Sequence, residues 1–591
     1  MTQGKLRLYL AAVVVVLSLM VAVWIWRSSI IVNEQRRQQA AEAGNVENDT
    51  AELDETKQKQ IWDNEHITFE LEKRFGSAFL DAILASDAER IDSFFRDNSS
   101  CQTITGGPEQ IRQKDQFTET RIDEKTSTAR TVSSEDLAKS LASIKRRFSV
   151  VEQKKLRVLG ISQLSGSPPR WEARILIGFV GLDQNKQPLQ YSSEHQIQCT
   201  IADEAKLADS ASLDDWSMKK EVWRECKQRL FKEITSSTGL TDIRIPDNWQ
   251  LPVAKRKPYR FQIAVADYNR DGRLDVAVSL RDGTPLLFAA VDDGRFMEVA
   301  ESKKLKSARR PGCYTAAWID YDNDGWPDLL LGDRLFRNLE GRQFEDVTTK
   351  LALSVELDCM GVVPADYDGD GWLDLYFVYP VEHGTMPQRE QWVDDDESGK
   401  ANQLWRNDGG QKFVNVTTEA NASGGNRQTH AATWFFFDED HRPDLYIAND
   451  FGKNVILRNR GDGSFEDVSE ATNARDFATS MGVASGDVNN DGRPDLYVAN
   501  MFSKMGRRII GQVGDDDYPS GIYEQIKGSC AGNRLYWTED GGDYRDVSDE
   551  MGVNGVGWAY APVMFDADAD GWLDLYATTG FLSVTRDKPD G

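Results

Sequence analysis

An acidic nine-residue loop, Asp-x-Asp/Asn-x-Asp-Gly-x-x-Asp, recurs five times intact and once damaged between residues 267 and 574, and it constrains this chain more than any other feature. The intact copies carry Asp267, Asn269, Asp271 and Asp275; Asp320, Asp322, Asp324 and Asp328; Asp366, Asp368, Asp370 and Asp374; Asp487, Asn489, Asp491 and Asp495; and Asp566, Asp568, Asp570 and Asp574. The sixth position of each is glycine: Gly272, Gly325, Gly371, Gly492 and Gly571. Such loops force carboxylates together, and like charges about 4 Å apart repel by roughly 1 to 4 kcal/mol per pair unless a cation intervenes.

Oxygen donors at alternate positions, with a glycine that permits a sharp turn, suit a hard cation that takes six to eight oxygens. Calcium is therefore expected, at about five sites with a sixth degenerate. Magnesium asks for a stricter octahedron, and zinc would call for His and Cys. By analogy with related loops, the seventh-position carbonyls of Arg273, Trp326, Trp372, Arg493 and Trp572 are expected to join the ligand set.

The EF-hand is the first competitor, but its twelfth position is a bidentate Glu between helices. Here the twelfth positions are Val278, Leu331, Phe377, Val498 and Ala577, and the flanks read as short apolar strands. Ordinary acidic turns are the second competitor; five copies at one internal spacing argue against them. In the damaged copy Phe436 replaces the first Asp and His441 the glycine, so Asp438, Asp440 and Asp444 are expected to bind a cation weakly or not at all.

The loops start at residues 267, 320, 366, 436, 487 and 566, at intervals of 53, 46, 70, 51 and 79. A unit of about 50 residues holds four short strands and their turns, as in a propeller blade, whereas a β-helix repeat is far shorter. An alternating segment precedes each loop, from Leu230–Thr235 to Asp543–Ser548, and reads as an edge strand. The two long intervals place insertions at 379–400 and 501–530, the expected recognition loops.

These loops, the Phe-x-Asp-Val-Thr/Ser strands and the Leu-x-Arg-Asn turns resemble the FG-GAP/VCBS repeats of integrin-like propellers, over about residues 230–591. Met481 to Asp487 and Asn500 to Ser503 resemble the ASPIC/UnbV branch. The resemblance implies a β-propeller, usually seven-bladed, with calcium in a loop between two strands of a blade. Six motif-bearing units are visible here. Closure by the strand at Phe231, a blade without the motif, and a truncated chain all stay open.

The net charge of -26 reflects the acidic loops and argues against nucleic acid as partner. Leu8 to Trp26 forms an apolar segment about 28 Å long as a helix, near the roughly 30 Å hydrocarbon core. With no small-residue cleavage site behind it, residues 1–30 are read as an uncleaved transmembrane signal anchor, and residues 31–60 as a flexible linker. Residues 8–26 would make the membrane a partner, with the body outside the cytoplasm, periplasmic or at the cell surface, where weak calcium sites fill.

Between linker and propeller, residues 61–229 read as an α+β domain. Ile67, Leu71, Phe75, Ala78, Phe79, Ala82 and Ile83 recur at helical spacing, and Ser86 with Glu89 forms a capping box for a second helix through Phe95. Strands follow at Phe148–Ile161, Trp171–Val180, Tyr191–Ile201 and Trp216–Val222. Helices followed by long strands are similar to the SnoaL-like cone fold. The domain is read as a structural spacer: His195, Glu194, Asp81 and Trp171 would be its pocket residues but form no catalytic set, and His195 is expected to face solvent.

Cys313 and Cys359 each lie seven residues before the first Asp of neighbouring loops, which makes them a disulfide candidate across adjacent blades. No nucleophile elbow or phosphate loop is present. The expected function is a membrane-anchored, calcium-binding scaffold for a protein or glycan. The alternative is a calcium-dependent polysaccharide-processing enzyme, with Trp392, Tyr518 and Tyr523 stacking on sugar.

Overall fold

The computed structural model describes residues 54–579, apart from 107–108, 115–116, 210, 230, 241–260, 281–283, 308–312, 382–398, 519–521 and 540–541. The expectation of a membrane-spanning anchor is corrected. Among the described residues no helix is long and apolar enough to cross a membrane, and Leu8 to Trp26 lies outside them.

The first helix, α1 (Glu55–Glu70), starts where the Asp54 carboxylate accepts the Lys57 amide, and runs through one π turn, Leu71–Phe75, into α2 (Gly76–Ala85). Its apolar stripe of Ile67, Leu71, Phe75, Phe79 and Ile83 is buried. The expected capping box gives way to Asp87, which caps the short α3 (Ala88–Asp92), while Ser86 ends α2 in a left-handed conformation.

Four strands follow, β1 (Phe95–Thr105), β2 (Glu109–Lys114), β3 (Phe117–Asp123) and β4 (Thr128–Val132), then α4 (Ser134–Ser143). The long strands are β5 (Phe148–Leu164), β6 (Arg170–Asp183), β7 (Pro188–Thr200) and β8 (Leu213–Cys226). The sheet runs β2-β3-β8-β7-β6-β5, with β1 parallel to β8 and antiparallel to β4. Three register shifts between β5 and β6 bend it. The helices fill its inner side with Phe75 and Phe79; Phe79 lies 5.0 Å from Phe75 and 5.5 Å from both Phe94 and the β8 residue Trp216, ring centre to ring centre.

From Phe261 the chain becomes β-propeller-like. Five antiparallel four-stranded blades follow one another: Phe261 to Glu298, Ala316 to Asp346, Gly361 to Asn415, Thr429 to Asp467 and Phe477 to Asp546. A sixth unit consists of Ala559–Phe565 and Asp574–Thr579 alone. Successive first strands pack side by side. Second strands form the core: Leu329 to Leu331, Leu375 to Phe377, Leu445 to Ile447 and Leu496 to Val498 are buried, each large side chain contributing roughly 1.5 to 3 kcal/mol.

Among the described residues, the edge strand expected at Leu230–Thr235 does not form; Leu230 lies outside them. Phe231 to Ile234 is unpaired and leads into α5 (Thr235–Thr238), and Phe231 rests on Tyr576 of the sixth unit with ring centres 6.0 Å apart. Gly239, just past α5, sits against the Phe296 carbonyl of blade one, so this segment reaches from the last unit to the first without pairing to either.

Each acidic loop joins the first strand of a blade to the second, and both insertions join a second strand to a third. Because the strands are antiparallel, loops and insertions lie at opposite ends of the blades. The blade-five insertion holds α6 (Lys504–Ile510), a turn at Asp515–Asp517, and α7 (Ile522–Cys530). It does not stand free as a recognition loop. Arg508 pairs with Glu65 on α1, Asn64 donates to Gln512 at 2.7 Å, and Lys57 pairs with Asp517. Most of the other insertion lies outside the described residues.

Candidate metal centres

Each intact acidic loop turns on two left-handed residues. The fourth positions, Arg270, Asn323, Gly369, Asn490 and Ala569, have φ between 53° and 73°, and the sixth-position glycines have φ between 84° and 89°. Glycine carries no penalty there. In the damaged loop His441 takes that conformation at φ 60°.

The turn aims backbone amides at the first aspartate. Asp267 accepts from Asp271 and Gly272 at 3.0 and 2.8 Å, and Asp366, Asp487 and Asp566 repeat the pattern. The fifth-position aspartates, Asp271, Asp324, Asp370, Asp491 and Asp570, accept the seventh-position amides of Arg273, Trp326, Trp372, Arg493 and Trp572. The ninth aspartate ties the loop to the blade. Asp328 accepts from Tyr321 at 3.2 Å and from Asn338 of the third strand at 2.6 Å, and Asp275, Asp374, Asp444 and Asp495 do the same in their blades.

Three carboxylates converge within 4.8 Å in four loops: Asp320, Asp322 and Asp328; Asp366, Asp368 and Asp374; Asp438, Asp440 and Asp444; and Asp566, Asp568 and Asp574. These groups could hold a metal ion. The loops with Asn at the third position differ: Asn269 and Asn489 turn their amide nitrogens to Asp271 and Asp491 at 3.0 Å.

Burial sets the electrostatics. Asp328 and Asp374 are pushed up to about 8, and Asp275, Asp444 and Asp495 to about 6, by desolvation that their backbone hydrogen bonds only partly offset and neighbouring carboxylates increase. Asp322 and Asp368 are also raised, by burial first and by Asp324 and Asp370 second. A bound cation would oppose both causes.

The damaged loop is neutralised from within. Arg458 meets Asp438 at 2.6 Å and Arg442 pairs with Asp440, and Asp438 is held below the usual carboxylate range although burial works the other way. Phe436, in place of the first aspartate, offers no oxygen ligand from its side chain and stands half exposed.

Neighbouring loops are linked. Arg270 donates to the Gly325 carbonyl and lies over the Trp326 ring, Asn323 donates to the Gly371 carbonyl at 2.9 Å, and Asn490 to the Gly571 carbonyl at 3.2 Å. Asn338, Asn407 and Asn459, at the ends of third strands, donate to the carbonyls of Tyr268, Tyr321 and Tyr367 in the preceding blade's loop. Sequence reasoning noticed the Leu-x-Arg-Asn turns but gave their Asn no role. A side-chain amide recurring at the end of the third strand in three blades, Asn338, Asn407 and Asn459, was the available signal.

The other candidates fall elsewhere. Cys313 and Cys359 are both buried and are joined by no disulfide in the structure, their thiols donating to the carbonyls of Glu356 and Gly361, where a bridge was expected. His195 does not face solvent: it is fully buried, with its ring 4.5 Å from Trp216. Trp171 is buried, Asp81 pairs with Lys154 on the surface, and Glu194 alternates to the opposite face of β7 from His195, so these four residues form no common pocket. Trp392 lies outside the described residues. Tyr523 packs against Lys527 on α7, and Tyr518 follows the Asp517 turn.

The model for FG-GAP-like repeats matches residues 267–331, 332–377 and 437–498, and that for the FG-GAP repeat matches 481–516. The chain carries FG-GAP repeats. Cartilage acidic protein 1 of Xenopus tropicalis is 36% identical over 58 residues, a match covering 10% of this chain and 9% of that protein.

Proposed function

We propose that this FG-GAP repeat protein is a calcium-binding scaffold that works outside the cytoplasm and presents its blades to a protein or a glycan. The reading rests chiefly on one observation: three carboxylates converge within 4.8 Å in each of three intact loops, those that begin at Asp320, Asp366 and Asp566. Carboxylates so close repel one another, which an added cation would offset, and six or more oxygens in a short loop fit calcium better than magnesium. The ligands would come from Asp267, Asn269, Asp271 and Asp275 and their counterparts in the other intact loops, with the seventh-position carbonyls. The ASPIC/UnbV-like segment from Met481 to Ser503 belongs to the same proposal.

Calcium would brace the blades rather than react, because repeated loops build surface and not a catalytic pair. Calorimetric titration of the chelator-treated protein tests the metal. Saturable calcium binding with several sites, and weaker magnesium binding, is expected; no heat with either ion would overturn it. A glycan array and a pull-down with the calcium-loaded protein then test the scaffold.

A further inference from the structure

An arginine accompanies the acidic loops in two different ways, and the third loop position decides which. Where that position is Asp, in blades two, three and four, the third strand carries Arg337, Arg406 or Arg458 one residue before Asn338, Asn407 or Asn459. Where it is Asn, in blades one and five, strand pairing puts Ala289 and Trp537 at the place of Arg337. The arginine is then the seventh residue of the loop itself: Arg273 donates to Asp271 at 2.8 Å and Arg493 to Asp491 at 3.0 Å. All five blades keep this exchange, so a third-position Asp and a third-strand Arg belong together.

Blade two shows what the pairing does. Arg337 Nε meets Asp322 Oδ2 at 2.6 Å and Nη2 donates to Asp324 Oδ2 at 2.9 Å, while the Trp326 amide donates to Asp324 Oδ1. Asp324 is thereby committed on both oxygens, and Asp320, Asp322 and Asp328 are the three that converge within 4.8 Å. In that group Asp320 Oδ1 is a buried oxygen that accepts no hydrogen bond, whereas Asp267, Asp366, Asp487 and Asp566 each use the same oxygen to take the fifth-position amide. A buried oxygen left over beside two other carboxylates suits a hard cation. One arginine against four aspartates also leaves this loop acidic, unlike the damaged loop, where Arg442 and Arg458 face three.

Resting on the calcium reading above, we propose that Arg337 is a positioning residue for the ion of the blade-two loop: its fork fixes the Asp322 carboxylate beside Asp320 and Asp328 and makes this loop a tighter calcium site than those of blades one and five. Hydrogen-bond partners of metal-ligating groups are typically worth about 10- to 100-fold in metal affinity. A mere counter-charge would act in the opposite sense, because a neighbouring positive charge repels the ion.

The test loads the full chain with terbium, excites its luminescence through tryptophan, and displaces it with calcium; the signal lost in Trp326→Phe belongs to the blade-two loop. Arg337→Met should weaken calcium there about tenfold or more. Arg337→Lys, which keeps the charge and loses the fork, should weaken it too. In an Asp322→Asn background, Arg337→Ala should change the affinity by less than about twofold, because the arginine acts through Asp322. That double variant copies the pairing of Asn269 with Ala289 in blade one, so it keeps the inference testable should Arg337→Met fold poorly. Affinity unchanged or raised in Arg337→Met, parental affinity in Arg337→Lys, or the full loss recurring in the Asp322→Asn background would overturn the inference and leave the calcium reading standing. A parent chain that binds neither ion would overturn that reading, and the inference with it.

Discussion

Arg508 ends in a forked contact with Glu65: its Nε donates to one carboxylate oxygen at 2.7 Å and its Nη2 to the other, while Nη1 donates to the Val158 carbonyl at 3.0 Å. Both side chains are about nine-tenths buried. The arm that leaves blade five at Asn500 thereby grips the first helix of the preceding domain. Planar bidentate geometry is what makes arginine suited to such a place.

Breaking that pair should therefore cost far more than a surface ion pair. Arg508→Ala leaves Glu65 buried and unpaired, and a loss of about 3 to 5 kcal/mol is expected in denaturant unfolding. The double variant Arg508→Met with Glu65→Leu should recover most of the loss. A single variant within about 0.5 kcal/mol of the parent would mean that the contact is exposed in solution.

Calcium should raise the unfolding temperature, and a chelator should reverse the rise. A site filled at 100 times its Kd adds roughly 2.7 kcal/mol if the unfolded chain does not bind. Scanning calorimetry with calcium, magnesium and chelator checks both the size and the selectivity. Equal shifts with magnesium would remove calcium from the reading.

The six loops should not be equivalent. Asp368→Asn should remove one calcium per chain in a titration, whereas Asp438→Asn should remove none, because Arg458 and Arg442 already hold the charges of the damaged loop. Loss of one equivalent in Asp438→Asn would show that the convergence of Asp438, Asp440 and Asp444 outweighs the missing first aspartate.

Acid should weaken the fold partly through His195. Burial lowers its pKa from 6.5 to about 3, so between those values the unfolded chain binds a proton that the folded chain refuses. Its neutral form is fully compatible with the fold above pH 6.5, and stability falls as pH drops towards 3, by up to about 1.4 kcal/mol per pH unit. His195→Gln should flatten this part of the profile; equal slopes in parent and variant between pH 6 and 4 would disprove it.

What could be read without the fold was whatever lies within a few residues. The acidic loops are such a case, since two left-handed positions and the amides of a nine-residue segment bring their carboxylates together. The buried stripe of Ile67, Leu71 and Phe75 is another, because helical spacing alone aligns it. Strands β1 to β4 were missed: β4 is largely exposed and polar, so its pairing with β1 is decided by backbone partners that its own pattern does not announce.

The failures share one cause. His195 alternates with apolar neighbours, and only the packing of Trp216 against it decides that its face of β7 points inward. Phe231 to Ile234 has the alternation of a strand but pairs with no strand among the described residues. The arm carrying Arg508 reads as a solvent loop until Glu65, 443 residues away in the chain, is brought against it. The sequence by itself determined the local chemistry, namely which segments turn, which stripes are apolar and where carboxylates cluster. Tertiary structure alone decided burial, pairing and docking, because each depends on a surface supplied by residues far away in the chain.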